Sequence, residues 1–336
     1  VQMQWIFVGA STIASQHMVA AVRAQAGNEV SWVVSGSADR AAEWAKDHRI
    51  ARSTTSLEEA LSDEAATCVY ISSTNEKHYP QAMAAIAAGK HVLCEKPLGM
   101  TLAQATEMVA AADAQGTVFG TNHHLRCSGT HRAIREVVAS GEIGDVLSLR
   151  IHHAVYLPDN LQGWRINDVS ACGGVIPDIT VLDADVPRFL LGEDPIDVVA
   201  QLAQSGMGQG VEDSCMSVWT MPSGAMVMAH ESFTHPFAGT GLEVHGTKGS
   251  IFAEGVMTQS PVGSITVRTE AGERELPYSN HSLYVQGVGD FVSAVAGMGS
   301  PAASGRDGIA SLAVALAVRD AALSGNKVTV DYGAAS

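Results

Sequence analysis

Lys96 is the side chain in this sequence whose type and placement best suit acid chemistry at a carbonyl. It lies in Glu95-Lys96-Pro97, directly after the apolar run His91-Val92-Leu93-Cys94. Reducing a ketone places negative charge on the carbonyl oxygen as hydride arrives, so a proton donor or fixed positive charge is needed within hydrogen-bond reach. A lysine ammonium supplies both. Pro97 biases the backbone of Lys96 toward extended conformations and aims its side chain from a strand edge. On spacing alone, a surface lysine paired with Glu95 fits the same residues. A second segment, Gly173-Gly174-Val175-Ile176-Pro177-Asp178, reads as a helix start, with proline and then an acid in the first turn. A helix from about Asp178 to Leu190, kinked near Pro187, would carry Asp178, Leu182 and Asp185 on one face. Leu182 can neither donate nor accept a proton.

The elements that must position Lys96 read as a doubly wound nucleotide domain. Trp5-Ile6-Phe7-Val8 is a short apolar run, followed by Gly9-Ala10-Ser11-Thr12-Ile13-Ala14 and a helical pattern through Met18, Ala21 and Val22. A dinucleotide turn needs small residues at its first, third and sixth positions, so that backbone can approach a pyrophosphate and a helix N-terminus can face its charge. Here they are Gly9, Ser11 and Ala14, which also fit an ordinary strand-to-helix connection. Further buried strands follow at Val30 to Val34, Cys68 to Ser72 and His91 to Cys94. Helical patterns separate them at Arg40 to Lys46, Ser56 to Leu61, His78 to Ala88 and Leu102 to Ala114. Alternation of this kind predicts a parallel sheet with its ligand beyond the C-terminal strand edges.

After the second strand comes Ser35-Gly36-Ser37-Ala38-Asp39-Arg40. An NAD site usually presents a carboxylate there to the ribose hydroxyls, whereas a 2′-phosphate calls for hydroxyls and a guanidinium. Ser35 stands in place of the acid and Arg40 is placed to pair with phosphate, which favours NADP(H). The same serines also suit capping of the next helix.

The second half organises differently. Strand-like runs recur at Val146 to Val155, Pro195 to Leu202, Cys215 to Thr220, Ala225 to Glu231, Gly241 to His245, Gly249 to Ala253 and Ser264 to Arg268, a meander with a hairpin turn at Gly246-Thr247-Lys248-Gly249. Helices near Tyr284 to Ala296 and Gly308 to Leu323 close the chain and could cover one face of that sheet. Gln204 to Gly210 is the loosest stretch and is read as a mobile loop. The expected division is residues 1–125 for the cofactor and 126–336 for substrate.

Composition narrows the function classes. With 336 residues, 46% apolar and 16% charged, the chain is long enough for two domains with substantial cores. A formal net charge of -15 repels nucleic acid and anionic membranes. Five cysteines without C-x-x-C spacing read as reduced thiols of a cytoplasmic protein. Val1 to Val8 lacks a basic leader and Ile309 to Leu323 contains Arg319 and Asp320, so neither end is expected to address a membrane. If His123 and His124 lie in an extended segment they point to opposite faces, as do His152 and His153, and no metal site is expected.

The sequence resembles the glucose-fructose oxidoreductase and inositol dehydrogenase superfamily. The segments that carry the likeness are Gly9 to Ala14, Ser73-Thr74-Asn75-Glu76-Lys77-His78, Gly89 to Pro97, Thr121-Asn122-His123-His124-Leu125-Arg126, Val155-Tyr156-Leu157-Pro158, Gly163-Trp164-Arg165, Glu243 to Thr247 and Tyr284. The resemblance implies an α/β protein, an N-terminal Rossmann domain followed by an α/β domain on a large open, mainly antiparallel sheet. It also implies NADPH-dependent reduction of a sugar-like ketone, an anhydro-sugar ketone to its anhydro-alditol or a related conversion. Gly9, Ala10, Ser11, Thr12 and Ile13 would then hold the pyrophosphate, and Ser35, Gly36 and Arg40 the ribose phosphate. Ser73, Thr74, Asn75, His78, Glu95, Lys96, Asn122, Trp164, Arg165 and Tyr284 would enclose the rest of the cofactor. Lys96, His153, Tyr156, Asp178 and Leu182 would line the substrate. Where the family carries a histidine this chain has Leu182, so a catalytically weak or silent NADP(H) sensor is the alternative reading, while retention of Glu95, Lys96, Asn122, Trp164 and Arg165 favours the reductase. The family architecture also implies an open sheet face through which the chain could form a homo-oligomer, and an oligomeric scaffold using that face is a third reading.

Overall fold

Short apolar strands alternating with alanine-rich helices build a six-stranded parallel sheet. The computed structural model describes residues 2–333. The strands are β1 (Met3–Val8), β2 (Asn28–Val34), β3 (Arg52–Thr54), β4 (Ala66–Ile71), β5 (His91–Cys94) and β6 (Phe119–Thr121), in the order β3-β2-β1-β4-β5-β6. Every pairing is parallel. Trp5 to Val8 in β1 and Cys68 to Ile71 in β4 are buried continuously, because helices cover both faces of a parallel sheet. The intervening helices start where the sequence offers hydroxyl caps: Ser37 accepts from Arg40 N, Ser56 from Glu59 N and Thr101 from Gln104 N.

The described chain divides into two compact units, one of residues 2–123 together with Tyr284–Ile309, the other of His124–Leu283 together with residues 310–333. The helix Leu283–Val295 therefore packs on the first sheet, not on the second as its place in the sequence led us to expect. Phe291 lies 5.5 Å from the Trp5 ring, and Gln25 donates to the Val285 carbonyl at 2.9 Å. An apolar helix face docks on whichever sheet leaves a matching stripe uncovered, and chain order does not reveal which sheet that is.

The second unit carries a nine-stranded sheet. Its strands are β7 (Val146–Ala154), β8 (Asp197–Ala203), β9 (Ser214–Thr220), β10 (Met226–Ser232), β11 (Thr240–Gly246), β12 (Gly249–Glu254), β13 (Ser264–Thr269), β14 (Gly272–Glu275) and β15 (Val328–Thr329). Their order is β14-β13-β12-β11-β7-β10-β9-β8-β15. All pairs are antiparallel except β7 with β10. Period-2 alternation sorts the side chains. Leu149 and Ile151, Val227 and Ala229, Trp219, Leu242 and Val244 are fully buried on one face. Val199, Met216, Val218, Met226 and Met228, in register on three neighbouring strands, are 40–57% exposed on the other.

Four local expectations change. The helix after Gly174 opens with a π-turn, Ile176–Thr180, continues through Val181–Asp183 and restarts as Asp185–Leu191. The interruption at Ala184 lies one turn before Pro187, whose missing N–H leaves the Asp183 carbonyl without its helical donor. His124 lies in a 3₁₀ turn, His124–Cys127, so the extended-strand alternation assumed for His123 and His124 does not apply. Gly129–Ser140 is a helix that the sequence reading does not name. Finally, the 204–210 loop is tied down: the Asp213 carboxylate accepts from the backbone N–H groups of Ser205 at 2.6 Å, Met207 at 2.9 Å and Gly208 at 2.8 Å. Burial alone would raise the pKa of Asp213, but these donors together outweigh it and hold the carboxyl below its ordinary value.

Candidate functional site

The ends of β1 and β4 meet where the strand order reverses, the crevice in which doubly wound sheets take their ligands. Gly9 has φ +110°, and a Cβ there would lie 2.8 Å from the Ser72 carbonyl carbon and the Ser73 nitrogen. Only glycine permits this approach, which explains why the first small position of the turn is kept as glycine while the others are not. Ser11 Oγ caps the helix start by accepting from Ala14 N at 3.2 Å and lies 2.7 Å from Ser72 Oγ. Backbone N–H groups at Ala10 to Ile13 open a helical run that continues through the π-turn Ala14–Met18 and Val19–Arg23. Gly9→Ala is expected to cost about 1–3 kcal/mol of stability by overpacking against Ser72 and Ser73. Thermal denaturation checks this, and an unchanged Tm would count against the close approach.

At the end of β2 the Arg40 guanidinium folds back to donate from Nε to Ser35 Oγ at 3.2 Å, and Ser37 caps the helix. Gly36 leaves open space on the same turn. Capping uses Ser37 and leaves Ser35 with the arginine.

The third corner is built by β4, β5 and β6. Glu95 is buried after β5 and accepts at Oε1 from Tyr70 OH and from Asn122 Nδ2, each at 2.6 Å. Asn122 N in turn donates to Cys94 O at 2.8 Å. Burial, and then the neighbouring Glu95, push the Tyr70 phenol well above its ordinary value, so it stays a donor. Glu95 is therefore anchored to the sheet through Oε1, and Lys96 follows it half-buried, with a cis bond to Pro97. His78 is buried between two backbone carbonyls, Nδ1 at 2.7 Å from Pro97 O and Nε2 at 3.0 Å from Ser73 O. Burial lowers the pKa of His78 more than the two carbonyls raise it. Its ring ties the segment after Lys96 to the segment after β4. Ser73 Oγ donates to Gln81 at 2.5 Å, Thr74 Oγ1 to Glu76 at 2.7 Å, and Asn75 is buried in the first turn of the following helix. Tyr284 stacks on His17 at 4.4 Å, so within this unit it lies against the helix that follows the glycine turn.

The second unit holds the remaining candidates. Arg165 donates from Nε to Asp178 Oδ1 at 3.3 Å, and its guanidinium lies 4.7 Å from the Trp164 ring centroid. Both belong to Asp159–Asn167, which is interrupted at Gly163. Glu212 accepts from Ile176 N at 3.2 Å and so holds the start of the π-turn that carries Asp178. Tyr156 is exposed and bridges to Thr234. His153 Nδ1 is 2.8 Å from Asp183 Oδ1. Leu182 is 5% exposed, and Asp185 is engaged by Arg126 and Arg188. Among the described residues no group of three or more His, Cys, Asp or Glu side chains is arranged to hold a metal, and no helix is long and apolar enough to cross a membrane. None of the five cysteines is joined in a disulfide.

Sequence reasoning missed Tyr70, Asp183 and Glu231. Tyr70 is a polar-tipped side chain in the buried run Cys68 to Ile71 of β4, and Glu231 occupies an inward position of β10; both signals were present as breaks in the apolar pattern.

Residues 3–123 match the GFO/IDH/MocA oxidoreductase family with its NAD-binding Rossmann fold, and residues 131–252 match the GFO/IDH/MocA C-terminal domain. The chain is 50% identical over 331 residues to 1,5-anhydro-D-fructose reductase of Ensifer adhaerens, spanning 98% of this chain and 99% of that one. It is 28% identical to myo-inositol 2-dehydrogenase of Thermotoga maritima, over 78% of this chain and 79% of that protein. Among solved structures, aldose-aldose oxidoreductase from Caulobacter crescentus in complex with glycerol superposes with TM-score 0.90 at 22% identity, covering 98% of this chain and 100% of that one. Levoglucosan dehydrogenase in complex with NADH and levoglucosan gives 0.88 at 22%, with the same coverage. These two show the shared fold, a parallel-sheet nucleotide domain followed by a mixed-sheet domain, and the sequence matches show more: the chain belongs to the GFO/IDH/MocA oxidoreductase family.

Proposed function

We propose that the protein is an NADP(H)-dependent oxidoreductase that reduces a sugar-like ketone, 1,5-anhydro-D-fructose or a related substrate, to the corresponding alcohol. The observation that carries this reading is Lys96, half-buried at the C-terminal edge of a parallel sheet on a backbone that Glu95 anchors to Tyr70 and Asn122. Half identity to 1,5-anhydro-D-fructose reductase of Ensifer adhaerens supports the substrate class. The site fits a dinucleotide, because Gly9 admits close backbone approach. It favours the 2′-phosphate, because a serine and a guanidinium stand where a carboxylate would repel it.

In this reading residues 1–125 with Tyr284 hold the cofactor and 126–336 hold the substrate. When bound, the cofactor supplies hydride to the carbonyl carbon. Lys96 supplies the proton to the carbonyl oxygen and its positive charge stabilises the oxygen as negative charge develops. Asp178, His153 and Tyr156 hydrogen-bond substrate hydroxyls, and Leu182 gives one wall an apolar surface. Arg165 and Trp164 stiffen the segment next to Asp178. A second reading, a weak or silent NADP(H) sensor, draws on Leu182, which removes a proton-transfer group. Free thiols agree with a cytoplasmic setting.

The deciding experiment follows NADPH and NADH oxidation against a panel of ketoses, deoxyketoses and 1,5-anhydro-D-fructose. Turnover with NADPH supports the reductase, binding without turnover supports the sensor, and indifference to both dinucleotides refutes each.

We also propose that a second copy of the chain covers the patch formed by Val199, Met216, Val218, Met226 and Met228, which is rimmed by the Arg150–Glu243 ion pair. Contiguous exposed apolar side chains of this kind mark interaction surfaces. Met216→Lys combined with Met228→Glu is expected to lower the sedimenting mass to that of one chain. An unchanged mass would remove the patch as the contact.

A further inference from the structure

On the buried face of the second sheet the apolar rows end in two titratable groups. β7 presents Leu149, Ile151 and His153, and β10, parallel and in register, presents Val227, Ala229 and Glu231. His153 and Glu231 are therefore direct neighbours on one face, and Asp183 reaches the same place from the helical segment above. Asp183 and Glu231 have no exposed surface, whereas the His153 side chain keeps 12% of its own. The inner edge of the ring is bonded to Asp183 through Nδ1, so the edge that remains accessible carries Nε2.

This cluster has a deficit of hydrogen. Asp183 Oδ2 is buried without a hydrogen-bond partner, and among the described residues the only donors near the buried Glu231 carboxyl are the Thr180 hydroxyl and its own backbone N–H, neither close enough to make a well-formed hydrogen bond. Among the described residues no lysine or arginine pairs with either carboxyl. The other neighbours are the Cys215 thiol, opposite Glu231 on β9, and His131, beside His153; burial holds the thiol protonated and the His131 ring neutral. Two adjacent buried carboxyl groups cannot both ionise without a cation between them.

We propose that Glu231 and Asp183 hold one proton between them and act as positioning residues for His153, fixing it as the Nδ1–H tautomer whose Nε2 accepts a hydrogen bond from a substrate hydroxyl. Burial, and then the charge of Asp183, push Glu231 well above the ordinary carboxyl range, in agreement with the geometry. The chemical consequence is a preference for substrates with a hydroxyl at the position His153 reads, at a wall where Leu182 offers no polar group. Recognition of the hydroxyl rests on the reductase reading; the shared proton does not.

The test uses Glu231→Gln, whose amide replaces the acid O–H as a donor, and Glu231→Leu, which removes it. Infrared spectroscopy of the full chain at neutral pH is expected to show a buried protonated carboxyl that both variants lose. Nitrogen NMR is expected to show His153 as the Nδ1–H tautomer in the parent and in Glu231→Gln, and as a tautomer mixture in Glu231→Leu. In kinetics, Glu231→Leu is expected to lower kcat/KM about tenfold or more for a hydroxylated ketone and little for its deoxy analogue, with Glu231→Gln close to the parent. Tm and NADPH binding, measured alongside, separate this from a folding defect. A parent spectrum without the protonated carboxyl, or Glu231→Leu with the parent's tautomer, would overturn the proposal. If the protein turns over no ketone, the two spectroscopic readouts still decide the shared proton, and the reductase reading falls separately.

Discussion

Replacing Lys96 by methionine is expected to lower kcat for ketone reduction about 10²- to 10⁴-fold, roughly 3–5 kcal/mol of barrier, with NADPH affinity little changed. Methionine keeps much of the apolar stem and loses the proton and the charge. Its backbone is held independently, since Glu95 stays bonded to Tyr70 and Asn122. Lys96→Arg divides the two contributions, because a guanidinium keeps the charge but does not give up its proton near neutral pH. A variant that recovers only part of the rate would show that charge contributes and proton transfer supplies the rest. Leu182→His is the complementary change: if the leucine marks a lost acid, kcat on 1,5-anhydro-D-fructose rises, and an unchanged kcat counts against a lost acid. Stopped-flow absorbance of NADPH reads all three. Full activity of Lys96→Met would end the assignment of Lys96 as donor.

The sequence carried the first unit well because its signals are local. A run such as Trp5 to Val8 followed by Gly9 can be read without knowing its neighbours, and the hydroxyl caps at Ser37, Ser56 and Thr101 mark helix starts within one or two residues. The second sheet was legible as a set of strands, since alternation shows each one, but not as an order. Nothing local places β7 between β11 and β10, or sends Leu283–Val295 back to Trp5. The π-turn at Ile176–Thr180 escaped for a related reason: it shifts which side chains share a face without leaving a mark in composition. Lys96 stood out because its neighbours in sequence are also its neighbours in space. Glu231 and Asp183 did not, because an acid on a strand or helix acquires its meaning only when the fold brings it beside His153.

Arg40→Ala is expected to weaken NADPH binding about 10- to 150-fold, the equivalent of about 1.5–3 kcal/mol for one charge-assisted contact to phosphate, while leaving NADH binding nearly unchanged. The argument rests on what stands at the end of β2. A carboxylate there would accept from ribose hydroxyls and repel a 2′-phosphate. Ser35 does neither; its Oγ instead receives Arg40 Nε at 3.2 Å and holds the guanidinium at the strand end. Ser35→Asp should therefore act twice, by repelling phosphate and by drawing Arg40 into an ion pair, and it should move the preference further toward NADH than Arg40→Ala alone. Because Arg40 is exposed, the NADPH advantage should shrink as salt rises, which a loss of packing would not do. Titrating both dinucleotides into both variants at low and high salt decides the matter. Equal losses for NADPH and NADH would mean that the pair serves the helix start and not the phosphate, and the chain would then be an NAD enzyme like the general description of its family.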